Sequence, residues 1–177
     1  MAIRPILKYP DPRLRQVCKP VSDPSSMRAL VEDMAETMYA AKGAGLAAIQ
    51  VGEAQRLFII DGSVAGGGEE DPPLVFINPE LVELSGEKET AEEGCLSFPG
   101  IYVPVERSLH AKIRATDLEG SVFEMEGEEL FARAMQHESD HLNGKLLADY
   151  VGRIKRQLIA RRLARSAAEE AGKESEG

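Results

Sequence analysis

The sequence predicts one mixed domain of helices and short strands, and three patterns carry that prediction. Apolar residues recur at helical spacing over residues 27–39 and again over 130–141. Between them, over residues 57–125, short apolar or alternating runs are separated by Gly, Pro and Asp turns. The chain has 177 residues, enough for one domain with a real core, and its 43% hydrophobic and 29% charged content is that of an ordinary globular protein. With no Trp, that core is mostly aliphatic.

Composition also excludes classes of function. A net charge of −9 argues against broad nucleic-acid binding. No apolar run approaches the roughly 18 residues of a membrane span, so no membrane association is expected. Met1-Ala2-Ile3-Arg4-Pro5 starts neither an apolar signal region nor a cleavage site, so no signal peptide is expected. The two cysteines, Cys18 and Cys95, are therefore expected to be reduced, in a cytoplasmic protein.

Residues 1–20 read as extended or irregular, because each proline of Tyr9-Pro10-Asp11-Pro12 pushes its predecessor away from helix. Cys18, among turn residues, reads as a small semi-buried hydrophobe. Ser22-Asp23-Pro24 or Ser25-Ser26 starts a helix that carries Met27, Leu30, Val31, Met34, Met38 and Tyr39 on one stripe and ends at Gly43. In Gly43-Ala44-Gly45-Leu46-Ala47-Ala48-Ile49-Gln50 the glycines are not a phosphate loop, since no Lys-Ser/Thr follows. They let backbone approach another backbone or a ligand. Gln50, a primary amide closing an apolar run, fits two roles: a capping glutamine, or a donor aimed into a site.

Residues 57–61 form a strand, 62–73 a flexible loop, and 74–77 a second strand ended by Asn78-Pro79. Residues 81–89 add another around a turn at Gly86. Strands are expected at 102–105, 109–116 and 122–125, with Asp117-Leu118-Glu119-Gly120 as a hairpin turn. Glu128 opens a helix whose apolar face holds Leu130, Ala134, His137, Glu138 and His141, and Asn143-Gly144 stops it. A last helix from Gly152 places Val151, Ile154 and Leu158 on one stripe. It carries Arg153, Lys155, Arg156, Arg161, Arg162 and Arg165 before any acid, then frays through Glu169-Glu170 and residues 173–177.

Chemistry concentrates in Gln136-His137-Glu138-Ser139-Asp140-His141. His-Glu-x-x-His puts two imidazoles one turn apart on one helix face, able to hold a divalent ion, with a glutamate between them able to take a proton from a water held there. Two buried histidines and a glutamate are costly without such a partner. The third ligand has several candidates. A third histidine six residues on, as in Met-turn zinc proteases, is ruled out by Leu147, and Glu169 and Glu170 lie in the expected frayed tail. His110 alternates with Lys112 and Arg114 on a solvent face, and Cys18 sits in turns. Cys95, beside Gly94, remains, and a thiolate suits zinc or iron(II). The expected set is Cys95, His137 and His141, with an open fourth position that makes the site catalytic.

Three segments together resemble the peptide deformylase family: Gly43 through Gln50, Glu93-Gly94-Cys95-Leu96-Ser97, and Gln136 through His141. The resemblance runs from Asp11-Pro12-Arg13-Leu14 to about Tyr150. It implies an α+β fold, with antiparallel strands around a central metal-binding helix, an outer N-terminal helix and a C-terminal helix. Residues 1–150 would be the catalytic domain and 151–177 a basic helix with a frayed tail. The resemblance further implies hydrolysis of the formyl group from the N-terminal formylmethionine of newly made polypeptides. The expected cofactor is one divalent ion, iron(II) first, with zinc, nickel or cobalt as substitutes. Gln50 and the Leu96 N–H would polarise the formyl oxygen, Glu138 would carry the proton, and Gly45, Glu93 and Gly94 would pair with the substrate backbone as an added strand. Ala44 and Ile49 depart from the family's common residues beside the methionine pocket, and Met135 is a candidate for lining it. In some members the C-terminal helix contacts the ribosome; the basic run here fits that docking and equally fits a solvated helix.

Overall fold

A five-stranded antiparallel sheet and a two-stranded one enclose the His-Glu-x-x-His helix on most of its sides. The computed structural model describes residues 2–176, with side chains for residues 2–172. In chain order the elements are α1 (Arg28–Ala40), β1 (Gly45–Ala47), β2 (Leu57–Ile60), β3 (Leu74–Leu84), β4 (Lys88–Glu93), β5 (Val103–Ser108), β6 (His110–Thr116), β7 (Val122–Glu128), α2 (Glu129–Leu142) and α3 (Arg153–Glu176). The larger sheet runs β1-β2-β3-β6-β7 and the smaller pairs β4 with β5, so the α+β class holds.

The first helix follows its stripe: Leu30, Val31, Met34 and Met38 are buried against Leu46, Leu57, Ile59 and Ile77 of the sheet. Its methionines pack the core. Tyr39, expected on the same stripe, is 42% exposed.

The strand that begins at Leu74 does not end at Asn78-Pro79. β3 continues to Leu84 across a register shift between Ile77 and Glu80. Asn78 takes a positive φ of 50° there, and its side chain bonds both the N–H and the C=O of Val21, at 2.8 and 2.9 Å. The bulge tolerates Pro79, which has no N–H to offer the ladder. Nor do residues 81–89 form one strand around Gly86. Leu81 and Leu84 belong to β3, and the turn hands the chain to the other sheet as β4. Leu109 plays the reverse part between β5 and β6. The hairpin at Asp117 through Gly120 forms as expected, with the Asp117 N–H bonded to Ser121 O at 2.9 Å.

Burial on α2 is wider than the expected stripe. Phe131, Ala132, Met135, Gln136, His137, Glu138, His141 and Leu142 are buried, whereas Leu130 is 63% exposed. Strands touch this helix from β1, β2, β3, β5, β6 and β7, so no single face meets the core. Gly127 makes room for the start: a Cβ there would strike the Phe131 ring. The C-terminal end is held from outside, because Arg56 donates to Leu142 O at 3.1 Å and to Asn143 Oδ1 at 2.8 Å. A cation at that end also complements the helix dipole.

The last helix docks on a different stripe from the expected one. Ile159 and Leu163 are buried with Leu7, Leu14, Phe98 and Leu147, whereas Ile154 and Leu158 are 77% and 56% exposed. Glu169 and Glu170 lie within this helix with their side chains exposed. The fraying expected for residues 173–177 concerns side chains outside the described residues. No helix among the described residues is long and apolar enough to cross a membrane.

Candidate metal centre and active site

Two histidines on α2 and one cysteine from the turn after β4 converge on a single point. His137 Nε2 and His141 Nε2 are 3.3 Å apart, and Cys95 Sγ lies 3.5 Å from His141 Nε2. All three donor atoms fall within 4.8 Å of one another. A tetrahedral ion about 2.05 Å from each nitrogen and about 2.3 Å from sulfur requires separations of about 3.3 Å and about 3.6 Å. The His137–His141 and Cys95–His141 separations match those values. The expected alternatives lie elsewhere: His110 is on the outer face of β6, bonded to Glu126 at 3.1 Å, and Cys18 is buried in the core with its thiol pushed up to about 11 by burial.

Charge around the donors points the same way. Burial should make the His137 ring hard to protonate, yet Glu138, Cys95 and Glu93 surround it and raise its pKa well above the ordinary value. His141 is lowered by burial and by the cationic His137 and Arg107 nearby, which keeps its lone pair available.

Glu93 lies behind His137. Its Oε1 accepts from His137 Nδ1 at 2.8 Å, which leaves Nε2 facing the other donors. Arg107 grips the same carboxylate with two bonds of 2.9 Å, and Arg133 adds one of 2.6 Å. Burial alone would raise the Glu93 carboxyl, but bonds from His137 and Arg107 outweigh it and hold it at about 2. Glu93 was expected to contribute backbone to substrate; its side chain does a second job.

Glu138 is the loose group. It is buried, its Oε1 has no hydrogen-bond partner among the described residues, and burial pushes its carboxyl up to about 7. Its other oxygen lies against β1, where a Cβ on Gly45 would come within 2.7 Å of it. The bare backbone of Gly45 thus makes room for this carboxylate.

Gln50 points inward. Its Oε1 accepts from the Ala47 N–H at 2.9 Å, while Nε2 donates to Ser97 Oγ at 3.0 Å and approaches Cys95 Sγ at 3.4 Å. The side chain thus does both things: its oxygen caps the short 3-10 turn at Ala47, and its nitrogen faces the donors. The Leu96 N–H meets no protein acceptor among the described residues. A cleft of about 590 Å³ opens over the centre, lined by Gly45, Gln50, Glu93, Gly94, Cys95, Leu96, His137 and Glu138. Ala44 lines it as well, but Ile49 and Met135 are fully buried in the core behind it.

Sequence reasoning missed Arg107, Arg133, Tyr150 and Ser97, and passed over Asp140. One signal was available: Val103, Val105 and Arg107 alternate on one strand, which puts Arg107 on the buried face.

Fold and donor set together define a metallohydrolase, with an open cleft above a His-Glu-x-x-His helix. A sequence model of polypeptide deformylase matches residues 3–157. The peptide deformylase of Rhizobium meliloti (strain 1021) is 48% identical over 168 residues, covering 94% of this chain and 95% of its own. The peptide deformylase of Hyphomonas neptunium is 51% identical over 158 residues, 88% of this chain and 89% of its own. The crystal structure of a peptide deformylase from Legionella pneumophila superposes with a TM-score of 0.88 at 43% identity, covering 96% of this chain and 98% of that one. The chain belongs to the polypeptide deformylase family.

Proposed function

We propose that the protein hydrolyses the formyl group from the N-terminal formylmethionine of newly made polypeptides, with Cys95, His137 and His141 holding one divalent ion. Family membership gives the reaction. The observation that carries the assignment of residues is Glu138, a buried carboxylate with one unpartnered oxygen beside the donor triangle and under the cleft. A storage or structural metal site needs no such group.

The ion, when bound, supplies Lewis-acid polarisation of the formyl group and acidifies water towards about pKa 7. The remaining work falls to the chain. Glu138 takes a proton from the attacking water and returns it to the departing amine, a transfer suited to a buried carboxylate with an unpartnered oxygen. Charge developing on the formyl oxygen is received by the Leu96 N–H and by Gln50 Nε2, whose 3.4 Å contact to sulfur is weak enough to exchange. β1 is an edge strand, and the cleft lies between it and the Glu93-Gly94 end of β4. An extended peptide fits there as an added strand, paired with the backbone of Gly45, Glu93 and Gly94.

Iron(II) is the expected ion, with zinc, nickel and cobalt as substitutes, since a Cys/His/His set accepts all four. Residues 1–150 are read as the catalytic domain and 151–177 as its basic helix and tail, in a cytoplasmic protein. Arg153, Lys155, Arg161, Arg162 and Arg165 are exposed, as are Ile154 and Leu158, which supports a docking surface for the ribosome. Reversing Arg161, Arg162 and Arg165 to Glu leaves Ile159 and Leu163 packed; unchanged co-sedimentation with ribosomes would end that reading.

The test of the reaction is Glu138→Ala, loaded with metal and assayed on formyl-Met-Ala-Ser. Formate release should vanish while the metal stays bound, and unformylated peptide should remain intact with the wild-type protein. Loss of metal from the variant would make Glu138 a ligand instead.

A further inference from the structure

We propose that Arg107 is a positioning residue of the metal centre, acting through Glu93 on His137, and that Tyr150 and Asp140 hold it to that task. Arg107 sits on β5 with its side chain only 6% exposed. Its Nε and Nη2 bond the two oxygens of Glu93, both at 2.9 Å. Its Nη1 donates to Asp140 Oδ2 at 2.7 Å and to Tyr150 Oη at 3.0 Å. The Tyr150 hydroxyl donates to the same Asp140 oxygen at 2.5 Å, closing a triangle. The Tyr150 ring lies 5.0 Å from the Arg107 guanidinium and 4.5 Å from Lys145 Nζ, so both cations hold it in place.

This geometry matters because a two-bond fork fixes the plane of a carboxylate, whereas a point charge does not. With its plane fixed, Glu93 Oε1 receives His137 Nδ1–H from one direction only. That bond sets the tautomer and turns Nε2 towards Cys95 Sγ and His141 Nε2. Arg133 also reaches Glu93, but its other donors go to the backbone oxygens of Val105 and Glu89, so it neutralises charge without orienting the group. Tyr150 follows α2 in sequence and belongs to a short 3-10 turn, so the support of the centre extends beyond the motif helix. The inference rests on Cys95, His137 and His141 being the ligands.

The experiment titrates metal-free wild type, Arg107→Lys and Tyr150→Phe with Co(II), reading affinity and the visible spectrum of the cobalt centre. Thermal unfolding of each metal-free protein, and kcat and KM for formyl-Met-Ala-Ser, are measured beside it. Arg107→Lys should weaken Co(II) binding about 10–100-fold and shift the spectrum, and Tyr150→Phe should weaken it about 10-fold. KM should hold while kcat falls, because neither Arg107 nor Tyr150 lines the cleft. Wild-type Co(II) affinity and spectrum in Tyr150→Phe overturn the proposal, whatever its unfolding temperature. Should Arg107→Lys fail to fold, Tyr150→Phe decides alone, since it keeps the ring and its contacts with both cations. If Cys95→Ser binds Co(II) as tightly as wild type, the ligand assignment itself falls, not the role of Arg107.

Discussion

Replacing Gly45 by alanine should separate activity from stability. A Cβ at Gly45 stands 2.7 Å from Glu138 Oε2 and 3.1 Å from its Cδ, where ordinary contact begins at 3.4 Å. The carboxylate must retreat by about 0.7 Å to reach that contact distance. Gly45 is not among the residues with positive φ, so alanine takes its backbone without strain. For folding the change is mild. The obstacle is the end of a side chain with an unpartnered oxygen, and the cost stays at the low end of the about 1–3 kcal/mol of overpacking. For chemistry the same retreat is severe, because misplacing a reacting group by about 1 Å costs on the order of 10²-fold. That is about 2.7 kcal/mol of barrier. The expected variant is folded, takes up metal as wild type does, and has kcat lowered about 10–100-fold. KM should change less, because the new methyl faces Glu138 and leaves the strand edge free to pair. Formate release under anaerobic conditions, metal content and thermal unfolding are the measurements. Wild-type kcat in folded, metal-loaded Gly45→Ala would refute the assignment of Glu138, as it is placed against β1, to proton transfer.

Three further outcomes are expected. Cys95→Ser should lose most bound metal, whereas Cys18→Ala, in the core with Phe58 and Phe131, should keep metal and turnover. Metal analysis after gel filtration separates them. Leu163→Ala should cost about 2–5 kcal/mol by denaturant unfolding, whereas Ile154→Ala, 77% exposed, should stay within about 0.5 kcal/mol of wild type. Equal effects would mean that α3 docks on another face. Burial would raise the Asp149 carboxyl, but the 2.6 Å Arg15 salt bridge and the Leu146 N–H outweigh it and hold it below 3.8. Its contribution is therefore complete above that value and is lost as pH falls through the lower folded one. The stability gap between wild type and Asp149→Asn should narrow below about pH 4, and a constant gap would contradict the ion pair.

The candidate donor set that the structure brings together was legible mainly because most of its information is local. His137 and His141 need only helical spacing, and Cys95 emerged once Leu147 had removed a third histidine. Elements whose form depends on distant partners were not legible. β3 crosses Asn78-Pro79 only because Val21, from another part of the chain, engages both ends of the Asn78 amide. α3 buries Ile159 and Leu163 because Leu7, Phe98 and Leu147 lie beneath them, and nothing within its own charged sequence selects that face over Ile154 and Leu158. Leu130 looked like core by period, but it stands at the mouth of the cleft, where α2 has no strand above it.

Arg107 and Glu93 were harder still, since a buried ion pair leaves no periodic trace and is stable only when complete. The charge count around the centre explains why. Fully ionised, Glu93, Glu138 and Asp140 bring three negative charges and Arg107 and Arg133 bring two positive ones. A thiolate at Cys95, which metal binding requires, makes the surplus two negative charges. A divalent ion cancels that surplus, and no monovalent ion does. Arg107 and Arg133, by neutralising two of the three carboxylates, leave a remainder that fits a divalent ion.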